Sequence, residues 1–118
     1  MEISTREING VELISINGRV DSVEAMKLAD ALQDAQRRGK YKIVVDMSRV
    51  EYMSSAGFRA LGNAQRNSKR HPRGEVVLAQ VPNRVREALE MVGFTEYFHI
   101  LDSVDSALEF ADHLPTGE

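Results

Sequence analysis

Residues 43–61, IVVDMSRVEYMSSAGFRAL, join two kinds of pattern at a pair of adjacent serines, Ser54 and Ser55. The stretch leading in, YKIVVDM (41–47), is a continuous apolar run with polar flanks, the pattern of a strand covered on both faces. The stretch leading out turns Phe58, Leu61 and Ala64 inward on a helix that is predicted to begin near Ser54 or Ser55 and run to about Lys69. A buried strand followed directly by an amphipathic helix is the repeating unit of layered α/β domains.

The same alternation continues on both sides. Upstream, STREINGVELISING (4–18) holds two short strand-like runs around Asn9-Gly10, a pair that supplies the positive φ angles of a type I′ hairpin turn. Strands one and two are therefore expected to be antiparallel neighbours. A first helix follows, with Ala25, Leu28, Ala29, Leu32 and Ala35 forming its buried stripe. Asp21 or Ser22 is expected to cap it, Glu24 to complete a capping box with Asp21, and Gly39 to end it. Downstream, HPRG (71–74) breaks the chain, and EVVLAQV (75–81) repeats the buried-strand pattern. Val85, Ala88, Leu89 and Val92 then mark a third helix closed by Gly93. YFHIL (97–101) reads as a last strand, and Val104, Ala107, Leu108 and Ala111 as a last helix. The expected fold is one α/β domain over residues 1–118. Its sheet is mixed and mostly parallel, opened by the antiparallel hairpin, with about four helices and a tail, 113–118, that frays.

Composition narrows the functions. The chain has 118 residues, 42% hydrophobic and 28% charged, which is enough to bury a core without a staple. Its formal charge of −3 argues against a protein that holds nucleic acid by bulk electrostatics. Arg66, Lys69, Arg70 and Arg73 gather near the end of the second helix, as a solvated end that complements the dipole or as a docking surface for an acidic partner. With no cysteine there is no disulfide, thiolate metal site or cysteine nucleophile. The N-terminus does not read as a secretory signal, and no apolar run approaches the roughly 20 residues of a membrane span, so a cytoplasmic protein is expected.

Motifs for catalysis are missing. The serines lack the G-x-S-x-G elbow of a hydrolase, and neither G-x-x-x-x-G-K-[ST] nor G-x-G-x-x-G occurs. His71, His99 and His113 are scattered, without metal spacing or an adjacent acidic partner, and read as surface or edge residues. The expectation is a protein that is not an enzyme and needs no metal or cofactor.

One serine of the pair can simply cap the second helix. Gly57, however, falls in that helix's first turn, at a cost of roughly 0.5–1 kcal/mol relative to alanine, which points to a close approach to the backbone. Ala56 keeps the surface low. A serine hydroxyl at an open helix N-terminus is well placed for phosphorylation, because free N–H groups and the dipole tolerate a dianion there.

These residues resemble the STAS domain in its bacterial anti-sigma-factor antagonist form. The likeness rests on GRVDSVEA (18–25), residues 43–61, GEVVLAQVPNRVREALEMVGF (74–94) and DSVDSALEF (102–110), which together span nearly the whole chain. The resemblance implies a partner switch in sigma-factor-dependent transcription. The unphosphorylated antagonist binds an anti-sigma factor that is itself a serine kinase, and phosphorylation of a serine at the start of the second helix releases it. A phosphatase of the metal-dependent serine/threonine class reverses the change. The family's aspartate-serine-serine-glycine motif falls on Ser54, Ser55, Ala56 and Gly57, so the implied acceptor is Ser55, with Ser54 as the alternative. Ser54 stands in place of the usual aspartate, and Ala56 in place of the second serine. Asp21 matches the family's aspartate after the second strand. The implied partner surface comprises Asp21, Ser48, Ser54, Ser55, Gly57, Phe58 and Arg59. A different expectation is a STAS-like scaffold subunit of a transporter or signalling assembly that is never phosphorylated.

Overall fold

The alternation of apolar patterns becomes nine elements in the computed structural model, which describes residues 1–114. In chain order they are β1 (Glu2–Ile8), β2 (Val11–Val20), α1 (Glu24–Arg37), β3 (Lys42–Met53) and α2 (Ser55–Ser68). Then come β4 (Glu75–Ala79), α3 (Asn83–Met91), β5 (Ile100–Leu101) and α4 (Val104–Asp112). The hairpin turns at Asn9 and Gly10, with φ of 52° and 82°, and pairs Ile8 with Val11. That left-handed pair gives the turn the twist the two strands need.

The sheet order is β1-β2-β3-β4-β5, antiparallel between β1 and β2 and parallel thereafter. Because each parallel strand neighbours the one before it, right-handed crossovers carry α1, α2 and α3 to the same face. Ile43 and Val45 point to that face and pack with Leu28, Leu32, Phe58, Leu61 and Leu89. Val44 points the other way, where α4 lays Ala107 and Ala111 against Val11, Leu13 and Val77. Helices on both faces are the reason the strand reads as an unbroken apolar run.

Two buried glutamines tie the helical layer together. Gln36 donates through Nε2 to the Ala64 carbonyl and to Ser68 Oγ, both at 2.9 Å, and accepts from Asn67 at 2.8 Å, locking α1 to α2. Gln65 donates to the Tyr97 carbonyl at 2.9 Å and accepts from the Val76 amide at 2.7 Å, bridging α2 to β4 and to the turn before β5. Fully satisfied buried groups of this kind fix register as well as adding stability.

Several expectations need correction. The last strand is only Ile100–Leu101: residues 97–99 form a turn that buries Phe98 in the core, and the His99 carbonyl accepts from Leu78. Val92 is 46% exposed, because α3 ends at Met91 and leaves Val92 as its C-cap, off the buried stripe. Asp21 does accept from the Glu24 amide at 2.9 Å, yet the Glu24 carboxylate lies beside Lys27, at 3.4 Å, and does not close a capping box. His99 does have an acidic partner, Glu75 on the neighbouring strand. At the chain end the His113 amide bonds back to Glu109 and the Leu114 amide to Ala111, while the rest of the tail expected to fray, 115–118, lies outside the described residues. No helix among the described residues is long and apolar enough to cross a membrane.

The Gln65 bridge gives a stability prediction. Gln65→Ala strands the Val76 amide and the Tyr97 carbonyl, and should lower unfolding free energy by about 2–4 kcal/mol in urea titration. A loss below about 1 kcal/mol would mean that the bridge carries little of the fold.

Candidate functional site

β2 and β3 run parallel and finish together, with Val20 opposite Met53. The Ser54 amide donates to the Val20 carbonyl at 2.8 Å, so the pairing continues one residue past the last strand position before the chain turns into α2. Ser54 is extended, with φ −75° and ψ 166°, and its Oγ accepts from the Gly57 amide at 3.3 Å. Its carbonyl accepts from the Phe58 amide at 3.1 Å. Ser54 is therefore the helix cap, and at 9% exposure it is almost closed off from solvent. Ser55, the first residue of the helix, is exposed.

Gly57 explains how the helix sits so low. A Cβ on it would lie 2.7 Å from Met53 Cγ and 3.1 Å from Val20 Cγ1, inside contact distance. The close approach that the glycine implies thus comes from the core beneath it and not from a partner above. Two of the expected surface residues are corrected by the same geometry. Gly57 is buried, and Phe58, which points inward as its spacing implies and was expected to be shared between core and surface, is at 3% exposure wholly in the core.

The remaining expected residues divide. Asp21 follows Val20 directly as Ser54 follows Met53, so the two stand at adjacent strand ends, and Asp21 is exposed. Arg59 is one helical turn beyond Ser55, on the same side of α2, and exposed. Ser48 is elsewhere. It sits on β3 five residues before Met53, roughly 16 Å back along the strand at about 3.3 Å per residue. There its amide bonds to Asp46 Oδ1 at 3.0 Å, and the residue lines a polar hollow with Ser15 and Asn17. The reason is the length of β3, which continues through 48–53 as strand where the apolar run had ended at Met47.

Sequence reasoning missed an apolar rim. Val23 and Met26 are each 69% exposed at the start of α1, and Tyr52 is 40% exposed with the Arg19 guanidinium 4.6 Å above its ring. A signal for the first two existed, since both are apolar residues that fall off the buried stripe of α1.

The chemistry available is that of an anion-tolerant helix start. The first-turn amides of an α-helix have no partner within the helix. Here the Gly57 amide is satisfied by Ser54, while those of Ser55 and Ala56 have no partner among the described residues. No acidic side chain occupies the first turn of α2. No histidine attends the serine: His71 stacks on Tyr41 and His99 pairs with Glu75, both at the other end of the sheet. No group of side chains among the described residues could hold a metal ion.

Comparison with known proteins places the chain among relatives. The model of the STAS domain matches residues 2–107. A Bordetella bronchiseptica protein named as an anti-sigma factor antagonist, BtrV, is 31% identical over 107 residues, 91% of each chain. Among solved structures, a Thermotoga maritima protein named as an anti-sigma factor antagonist superposes with a TM-score of 0.83 at 17% identity, covering 92% of this chain and 93% of that one. The Bacillus cell fate determinant SpoIIAA, in its phosphorylated form, gives a TM-score of 0.73 at 14% identity over 92% and 97% of the two chains.

The two serines should separate by stability. Ser54→Ala removes the cap and should cost about 1 kcal/mol in urea titration, whereas Ser55→Ala should stay within about 0.5 kcal/mol of wild type. Equal losses would contradict the assignment of the cap to Ser54 alone.

Proposed function

The chain belongs to the STAS domain family, and from that premise we propose that it is an anti-sigma factor antagonist switched by phosphorylation of Ser55. The observation that carries this reading is the division between the two hydroxyls. That of Ser54 is spent on the Gly57 amide in a nearly closed position, and that of Ser55 stands exposed at an open helix N-terminus.

In this reading the unphosphorylated protein binds an anti-sigma factor that is also a serine kinase, and so frees a sigma factor for transcription. The contact surface surrounds Ser55: Asp21 and Val23 from the turn into α1, Met26 beside it and Arg59 one turn along α2. Exposed apolar side chains next to a small polar centre provide area that a partner can cover. The kinase transfers the γ-phosphoryl group of ATP to Ser55 Oγ, with loss of the hydroxyl proton and departure of ADP. The product carries about −1.5 to −2 charges at neutral pH, and burying these against the partner is costly. The helix start itself accommodates the dianion through its free amides and dipole, so the fold is retained. A metal-dependent serine/threonine phosphatase removes the group and restores binding. The exchange takes place in the cytoplasm, without direct contact to nucleic acid.

Two measurements test this. Incubation with ATP and the kinases encoded in the same genome, followed by phosphosite mapping, should find phosphate on Ser55 and none on the Ser55→Ala protein. Phosphate on neither Ser54 nor Ser55 with any kinase that binds would remove the switch. Ser55→Asp should weaken kinase binding by more than about tenfold, or 1.4 kcal/mol, with the melting temperature near wild type. Undiminished binding would contradict the proposal.

A further inference from the structure

We propose that the groove between α1 and α2 is a docking channel for an acidic helical segment of a partner protein, beginning beside Ser55 and running to the last turn of α2. The docking stands apart from the switch, and only its regulation by Ser55 rests on the proposed function.

The groove is one continuous depression. Its first section, about 180 Å³, lies between Met26 and Arg59 over Ala29, Ala56 and Ala60. The second, about 350 Å³, shares Ala29 and Ala60 with the first and continues between Gln33 and the pair Arg66 and Arg70. The third, about 280 Å³, shares Gln33 with the second and ends at Arg37 and Tyr41. At about 1.5 Å rise per residue, α2 gives the channel a length of roughly 20 Å, enough for about four turns of a bound helix.

Its charge is one-sided. Arg37, Arg59, Arg66 and Arg70 line the three sections, and no carboxylate does. The run of cations is a local excess on a chain of net charge −3, where three of the eleven other lysines and arginines meet a carboxylate. Arg38 meets Glu12 at 2.7 Å and Asp34 at 3.1 Å, Lys40 meets Glu7 at 2.8 Å, and Lys27 meets Glu24 at 3.4 Å. Among the described residues none of the four groove arginines has a carboxylate partner, and the side chain of Arg66 reaches only Asn63, at 2.8 Å. Unpaired guanidinium forks spaced along a groove match carboxylates presented at successive turns of a helix. The low alanine floor admits the backbone of such a segment. The first two sections hold no aromatic ring on which a base could stack, which favours an acidic protein segment over single-stranded nucleic acid.

The link to the switch follows from position. Arg59 lies four residues after Ser55 on the same helix face, so a phosphate on Ser55 would add negative charge at the mouth of the channel and compete for Arg59.

The test uses the isotopically labelled full chain and two probes: a 15-residue alanine-based helical peptide carrying four glutamates on one face, and its lysine counterpart. At low salt the glutamate peptide should shift the amide resonances of Ala29, Gln33, Asn63 and Asn67, and the lysine peptide should leave them in place. In the Arg66→Glu/Arg70→Glu variant, whose dispersed spectrum reports that it is folded, affinity should fall at least tenfold. Silence of the groove amides, shifts centred elsewhere, or wild-type affinity in the variant would overturn the proposal. The two readings fail separately, since kinase binding that survives Ser55→Asp removes the switch without touching the groove.

Discussion

The contact on which the site depends is the seating of α2 on the ends of β2 and β3. Gly57 has no Cβ because Met53 and Val20 already occupy the space, and the Ser54 amide is held by the Val20 carbonyl. These constraints act from the strand side and from the helix side of the same joint. Together they determine which residues of the turn face inward. Phe58 is driven into the core, Ser54 is trapped under the first turn as its cap, and Ser55 is the first residue left outside. A bulkier residue at position 57 would lift the helix and blur that division.

From this joint the energetics of a covalent switch follow without any change of fold. The cap holds the helix start whether or not Ser55 is modified, because the hydroxyl that contributes to stability is not the one that is exposed. The added charge then meets free amides and the positive end of a 14-residue helix. Under the proposed switch, what changes is the surface, where a dianion at Ser55 would join the exposed apolar Val23 and Met26. The glutamine bridges keep this local. Gln36 and Gln65 pin the body of α2 to α1 and β4, so a perturbation at its first turn has little freedom to spread.

What the sequence made legible was whatever local chemistry alone decides. Asn9-Gly10 declared the hairpin because few other pairs accept two positive φ angles, and the α1 stripe declared a helix because burial is periodic. The helix start at the paired serines was legible for the same reason. Which serine capped it was not, since that depends on the Ser54–Val20 bond between strands distant in sequence. Ser48 was drawn into the site because β3 runs to Met53 through residues with no apolar run to mark them. The helical spacing turned Phe58 inward, as the structure has it, and it was the implied partner surface that drew Gly57 and Phe58 outward without regard to the core beneath them. Gln36, Gln65 and the Glu75–His99 pair were invisible, being polar groups whose partners only the folded sheet supplies. The expectation of partner switching came from resemblance to a family, and no feature of composition or periodicity would have reached it.

The most direct test of the account is the amide spectrum of the full chain with phosphoserine incorporated at position 55. If the helix start is built in advance to receive a dianion, the changes should be large for Ser55, Ala56 and Gly57 and smaller for the adjoining residues of 20–26, with the resonances of β4, α3 and α4 unmoved. Loss of dispersion, or shifts spread through the sheet and α4, would contradict it, since the phosphate would then act by disrupting the fold.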